Sequence, residues 1–127
     1  MNDLNITVEQ YQDAIKNTLS ERQRKVLEML YAFPDSTATA QELAEVINPQ
    51  NPSPIIASGQ IGKIGKAIAT YLGVMPGLYF NGEINAPAYF SIVGEYYSSK
   101  EKLPGKRAGW EMNENLKEAL QNLHAAR

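Results

Sequence analysis

Through residues 7–73 and again from 113 onward, apolar residues recur every three to four positions. Between them, from about 78 to 112, they alternate with polar ones. A period near 3.6 reads as helix and a period of two as strand, so the chain reads as helices, then a hairpin, then a closing helix. Three helix starts are marked by the same device. Thr7 with Gln10, Ser20 with Gln23 and Thr39 with Glu42 each place a hydroxyl three residues before a Gln or Glu, the spacing at which two backbone N–H groups are satisfied reciprocally. The predicted helices are 8–17, 21–33 and 40–47. Their apolar sides are Val8, Tyr11, Ile15 and Leu19, then Val26, Leu27, Leu30, Tyr31 and Phe33, then Leu43, Val46 and Ile47. Arg22, Arg24 and Lys25 fall on the outer side of the second helix and are read as solvated charge.

A loop with three prolines, NPQNPSP, leads into the longest helix, predicted over 54–72. Ser53 can cap it, Pro54 suits the first helical position, and Gly73 can take the left-handed conformation that ends a helix. Ala57, Ile61, Ile64, Ile68, Tyr71 and Leu72 form its apolar stripe. Ser58, Gln60, Lys63, Lys66 and Thr70 form the other side, and the segment carries no acid. Gly59, Gly62 and Gly65 lie inside the helix, where each costs about 1 kcal/mol against alanine. A close approach by another backbone, or by a phosphate, would offset that cost.

Beyond Gly73, Leu78–Phe80 reads as a short strand and Asn81-Gly82 as a turn. Residues 88–97 read as the best strand of the chain, with Gly94 marking a bulge, and 109–112 as the strand that pairs back on it. The connecting loop carries Lys100, Lys102, Lys106 and Arg107 against Glu101. Asn113 can cap a last helix over 114–124, with Leu116, Leu120 and Leu123 inward.

A length of 127 residues, 43% hydrophobic and 20% charged, is enough for one domain with a real core. The absence of cysteine excludes a disulfide scaffold and a Cys nucleophile and fits a cytoplasmic location. No apolar run is long enough to span a bilayer, and MNDLNITVEQ has neither the basic nor the apolar region of a signal peptide. The net charge of −2 divides unevenly: residues 1–53 carry −4 and residues 54–127 carry +2. Such a split allows an anionic partner on one side.

Catalytic chemistry is sparse. His124 is the sole histidine and lies at the end of a helix, with no second His or Cys to build a zinc site. GQIGKIG has the wrong glycine spacing for a dinucleotide fingerprint and is not a P-loop. The chain therefore reads as having no active site, metal or cofactor. Tyr96, Tyr97 and Trp110 flank the basic loop. Such rings can stack on bases, but Trp110 sits where a returning strand would bury it, and Tyr96 and Tyr97 fit either role.

The order of LSERQRKVLEMLYAFPDSTATAQELAEVI, SGQIGKIGKAIATYLG, AYFSIV and GWEMNENLKEAL resembles the N-terminal domain of bacterial HNH-type restriction endonucleases over about residues 19–124. The resemblance implies a DNA-recognition module, with Gly62-Lys63-Ile64-Gly65-Lys66 at the family's basic helix. Lysines stand where arginines are common, and no nuclease half is present in these residues. The expectation is a free-standing reader or a piece of a longer protein.

Together these readings predict one α+β, winged-helix-like helix-turn-helix domain over 1–127. It divides into an N-terminal helix (1–18), a helix-turn-helix core (19–73), a β-hairpin wing (74–112) and a closing helix (113–127). The expected function is non-enzymatic binding of double-stranded DNA. Lys63, Lys66, Lys100, Lys102, Lys106 and Arg107 would contact phosphates, and Ser58 and Gln60 would contact base edges. A nuclease or other defence protein, or a second copy of the chain, is a further expected partner; a membrane is not. The rival reading is a protein-interaction module, such as a phage- or plasmid-borne inhibitor of a host defence complex.

Overall fold

A computed structural model describes residues 5–80, 85–97 and 109–125. Among these, the chain is α+β, with six helices and five short strands. The helices are α1 (Val8–Thr18), α2 (Glu21–Ala32), α3 (Ala40–Ile47), α4 (Pro54–Leu72), α5 (Phe90–Val93) and α6 (Glu114–Ala125). The strands are β1 (Thr37–Thr39), β2 (Leu78–Phe80), β3 (Asn85–Pro87), β4 (Gly94–Tyr97) and β5 (Gly109–Met112). All strand pairs are antiparallel. β1, β5 and β4 form one sheet in that order, and β2 pairs with β3 in another.

All three expected capping boxes close with both hydrogen bonds in place. In α3, for example, Thr39 Oγ1 accepts from the Glu42 N–H at 3.0 Å while Glu42 Oε1 accepts from the Thr39 N–H at 2.9 Å. Ser53 Oγ accepts from the Ile56 N–H at 3.3 Å, and Gly73 ends α4 at φ 69°. Local chemistry therefore places these helix ends within a residue of expectation. Between α2 and β1 the chain reverses through Asp35 and Ser36, both left-handed (φ 55° and 49°). The Ser36 hydroxyl donates to the Tyr31 carbonyl at 2.9 Å.

The core lies where α4 crosses α1, α3 and α5. It contains Tyr11, Ile15, Leu27, Leu30, Leu43, Ile61, Ile64, Ile68, Ile92, Met112 and Leu116, all nearly solvent-free. Two apolar assignments on the helices differ from expectation. Val46 is 44% exposed on α3. Tyr71 is 42% exposed, and its hydroxyl donates to the Asp13 carboxylate at 2.9 Å instead of joining the stripe.

The larger correction falls on residues 88–97. Only Gly94–Tyr97 is strand; Phe90–Val93 is a turn of helix. The cause lies in α4. A Cβ at Gly65 would strike the carbonyl of Tyr89, its carbon 2.7 Å away and its oxygen nearer still, so glycine lets α5 lie directly on the helix backbone. So short a helix leaves its carbonyls without partners of their own. The buried Tyr11 hydroxyl donates to Ile92 O at 2.6 Å, and Asn113 Nδ2 donates to Ser91 O at 2.9 Å and Ile92 O at 3.0 Å. Asn113, expected to cap α6, thus ties the start of that helix to α5.

Gly94 marks no bulge. It opens β4 in regular register opposite Met112, where a Cβ would come within 2.6 Å of Glu111 O. Trp110 is core as expected, 4% exposed on the central strand β5.

Candidate functional site

α4 is helical up to its left-handed glycine, so Ser58, Gly59, Gly62, Lys63 and Lys66 lie along one side at spacings of one, three and four residues. This side borders a cleft of about 730 Å³. The opposite wall is Pro87 from the end of β3, Tyr89 and Phe90 at the start of α5, Tyr96 of β4 and Trp110 of β5. Ser58, Lys63 and Lys66 are exposed.

The wall is preorganised by edge-to-face ring contacts. Tyr96 and Trp110 are direct cross-strand partners with centroids 6.3 Å apart, and Phe90 stands 5.7 Å from Tyr96. Each such pair contributes about 0.5–1.5 kcal/mol beyond its buried area. Tyr96, in the middle, is 53% exposed. Lys66 Nζ lies 5.9 Å from the centre of the Tyr89 ring, at the outer reach of a cation–π contact.

No acidic side chain lines the cleft among the described residues. Strand alternation is one reason. Glu95 and Glu111 neighbour Tyr96 and Trp110 in sequence, and successive side chains of a strand point to opposite faces, so both carboxylates project away from the rings. Two buried side-chain donors among the described residues lack a hydrogen-bond partner, Arg24 Nε on α2 and Trp110 Nε1 in this wall. Leaving such a donor unmet costs about 1–3 kcal/mol.

The structure thus brings together Ser58, Lys63 and Lys66 of the residues expected to form the site. Gln60 is half-buried and does not line the cleft. Lys100, Lys102, Lys106 and Arg107 lie outside the described residues. Tyr89 and Phe90 were missed as site residues because 88–97 read as a continuous strand. The signal that could have found them was Gly65, which asked for a close neighbour. Among the described residues, no group of three His, Cys, Asp or Glu could hold a metal ion, and no helix is long and apolar enough to cross a membrane. His124 is on the far helix α6, its Nε2 3.2 Å from Glu28 Oε1 and its ring beside Tyr31.

The chain matches no protein-family model, no curated protein and no solved structure.

Proposed function

We propose that this chain is a non-enzymatic, winged-helix-like DNA-binding module that meets double-stranded DNA with the outward side of α4. The observation that carries the reading is the coincidence of charge and opening. The side of α4 that holds Lys63 and Lys66 borders the cleft of about 730 Å³, and that cleft has no acidic lining among the described residues. The element order supports the winged-helix part: α2, α3 and α4 are followed by the β4–β5 hairpin, and β1 extends the hairpin into a three-stranded sheet. The motif resemblance to HNH-type restriction endonucleases points the same way. Lys63 and Lys66 contact phosphates, and Ser58, five residues before Lys63, reaches toward base edges.

The test is a binding titration with duplex DNA at several salt concentrations. Each phosphate-contacting lysine releases about one counterion, so Lys63→Ala and Lys66→Ala should each weaken binding and reduce the log–log salt slope by about one. Affinity and slope equal to the parent in both variants would refute the reading. The rival, a protein-interaction module, would then take over. It is favoured by the apolar side chains exposed at the start of α4 and on α3: Ile55 at 84%, Ile56 at 55% and Val46 at 44%.

A further inference from the structure

The three interior glycines of α4 differ in what surrounds them. Gly65 is needed, because the Tyr89 backbone occupies the place of its side chain. At Gly59 and Gly62 a Cβ would meet nothing within 4 Å. Packing within the protein asks for neither, and alanine would make the better helix at both. What the two glycines do is strip one turn of α4 to bare backbone where it borders the cleft. Facing that flat strip are Tyr89, Phe90, Tyr96 and Trp110.

We infer that the cleft receives one unpaired nucleobase of the DNA, its ring lodged between the Gly59–Gly62 strip and the aromatic wall, with the adjoining phosphate on Lys63 and Lys66. The inference rests on the DNA-binding reading above and goes beyond it, because a base stacked within a duplex cannot reach such a pocket. Four features select this ligand. A planar ring fits a slot between a helix stripped of side chains and a row of rings. The half-exposed ring of Tyr96 offers a face for stacking, which every base can use. The Trp110 ring, edge-to-face against Tyr96 in the same wall, holds that stacking face in place before a base arrives. Two lysines with no acidic neighbour in the lining suit the phosphate that accompanies a base, which a neutral aromatic ligand would lack. The volume of the cleft also lies in the range of small-ligand sites.

Trp110 is the sole tryptophan of the chain, so its emission reports on the cleft directly. The experiment compares two short duplexes at low salt, identical except that one carries a single bulged adenine. The parent protein should bind the bulged duplex about tenfold more tightly, the worth of one stacked base, and that duplex alone should quench Trp110. Gly62→Leu fills the slot, and Tyr96→Ala removes the stacking ring. Both should abolish the tenfold ratio, while Lys63→Ala should weaken binding to the two duplexes alike and leave the ratio unchanged. Equal affinity of the parent for the two duplexes would overturn the pocket while leaving DNA binding intact. So would a ratio that persists in both Gly62→Leu and Tyr96→Ala. Failure to bind either duplex would overturn both readings.

Discussion

Replacing the glycines of α4 one at a time by alanine should give opposite results at neighbouring turns of one helix. At Gly62 the new methyl projects into open space. The helix gains what alanine ordinarily gains over glycine, about 1 kcal/mol, mostly through lost freedom of the unfolded chain. In a domain of this size that raises the melting temperature by about 4 °C. Gly59→Ala should behave in the same way. At Gly65 the methyl collides with the Tyr89 carbonyl, which is backbone and cannot rotate aside. α5 must then move off α4, loosening Ile92 and Val93 in the core and stretching the 2.6 Å bond from Tyr11 to Ile92 O. Overpacking of this kind costs about 3 kcal/mol at the upper end, and the helix-propensity gain offsets about 1, so the net loss is about 2 kcal/mol. Urea unfolding followed by circular dichroism should therefore separate Gly62→Ala from Gly65→Ala by about 3 kcal/mol. A neutral or stabilising Gly65→Ala would mean that α5 does not lie on α4. A destabilising Gly62→Ala would mean that residue 62 already faces something in the free protein.

Tyr11→Phe should cost about 1 kcal/mol in the same assay, because Ile92 O keeps its bond from Asn113 and only one of its two donors is lost. Burial pushes the Tyr11 hydroxyl above its ordinary value of 10.0, against a weaker downward pull from Asn113. The unfolded chain therefore ionises first. Tyr11's contribution is intact below about pH 10 and is lost as pH rises through the raised folded value, so Tyr11→Phe should flatten the alkaline limb of a stability–pH curve. An unchanged limb would place the alkaline transition elsewhere. Thr39→Ala removes the cap of α3 at a site only 3% exposed and should lower stability by about 1–2 kcal/mol, with Thr39→Ser restoring most of it; equal melting of the two variants would contradict the cap. His124→Ala should leave DNA binding as it is, and the purified chain should not cleave DNA in the presence of divalent cations. Robust cleavage would end the non-enzymatic reading.

What the sequence determined by itself was the part of the fold that rests on short-range chemistry. A hydroxyl at Thr7, Ser20 or Thr39 and an amide or carboxylate three residues on can satisfy each other's backbone in isolation, so those helix starts could be read directly. Gly73, the glycine that closes α4, is of the same kind. The pairing of the β4 and β5 strand segments was also legible, and so was the side of α4 that carries Lys63 and Lys66.

Only the tertiary structure decided the rest. Tyr89–Val93 has the aromatic and β-branched composition of a strand, and it becomes a turn of helix because Gly65, more than twenty residues earlier, leaves room for it against α4. β1 is three residues long, too short to show a period, and exists because β5 pairs with it. There Gly109 lets the two backbones meet, since a Cβ would collide with the Ala38 carbonyl. The cleft draws on four separate parts of the chain, and no local pattern contains the distance between them. Hydrogen-bond chemistry along the chain reaches about one turn. Close approach of distant backbones depends on what is missing from a side chain elsewhere, and the sequence could mark that only as an unexplained glycine.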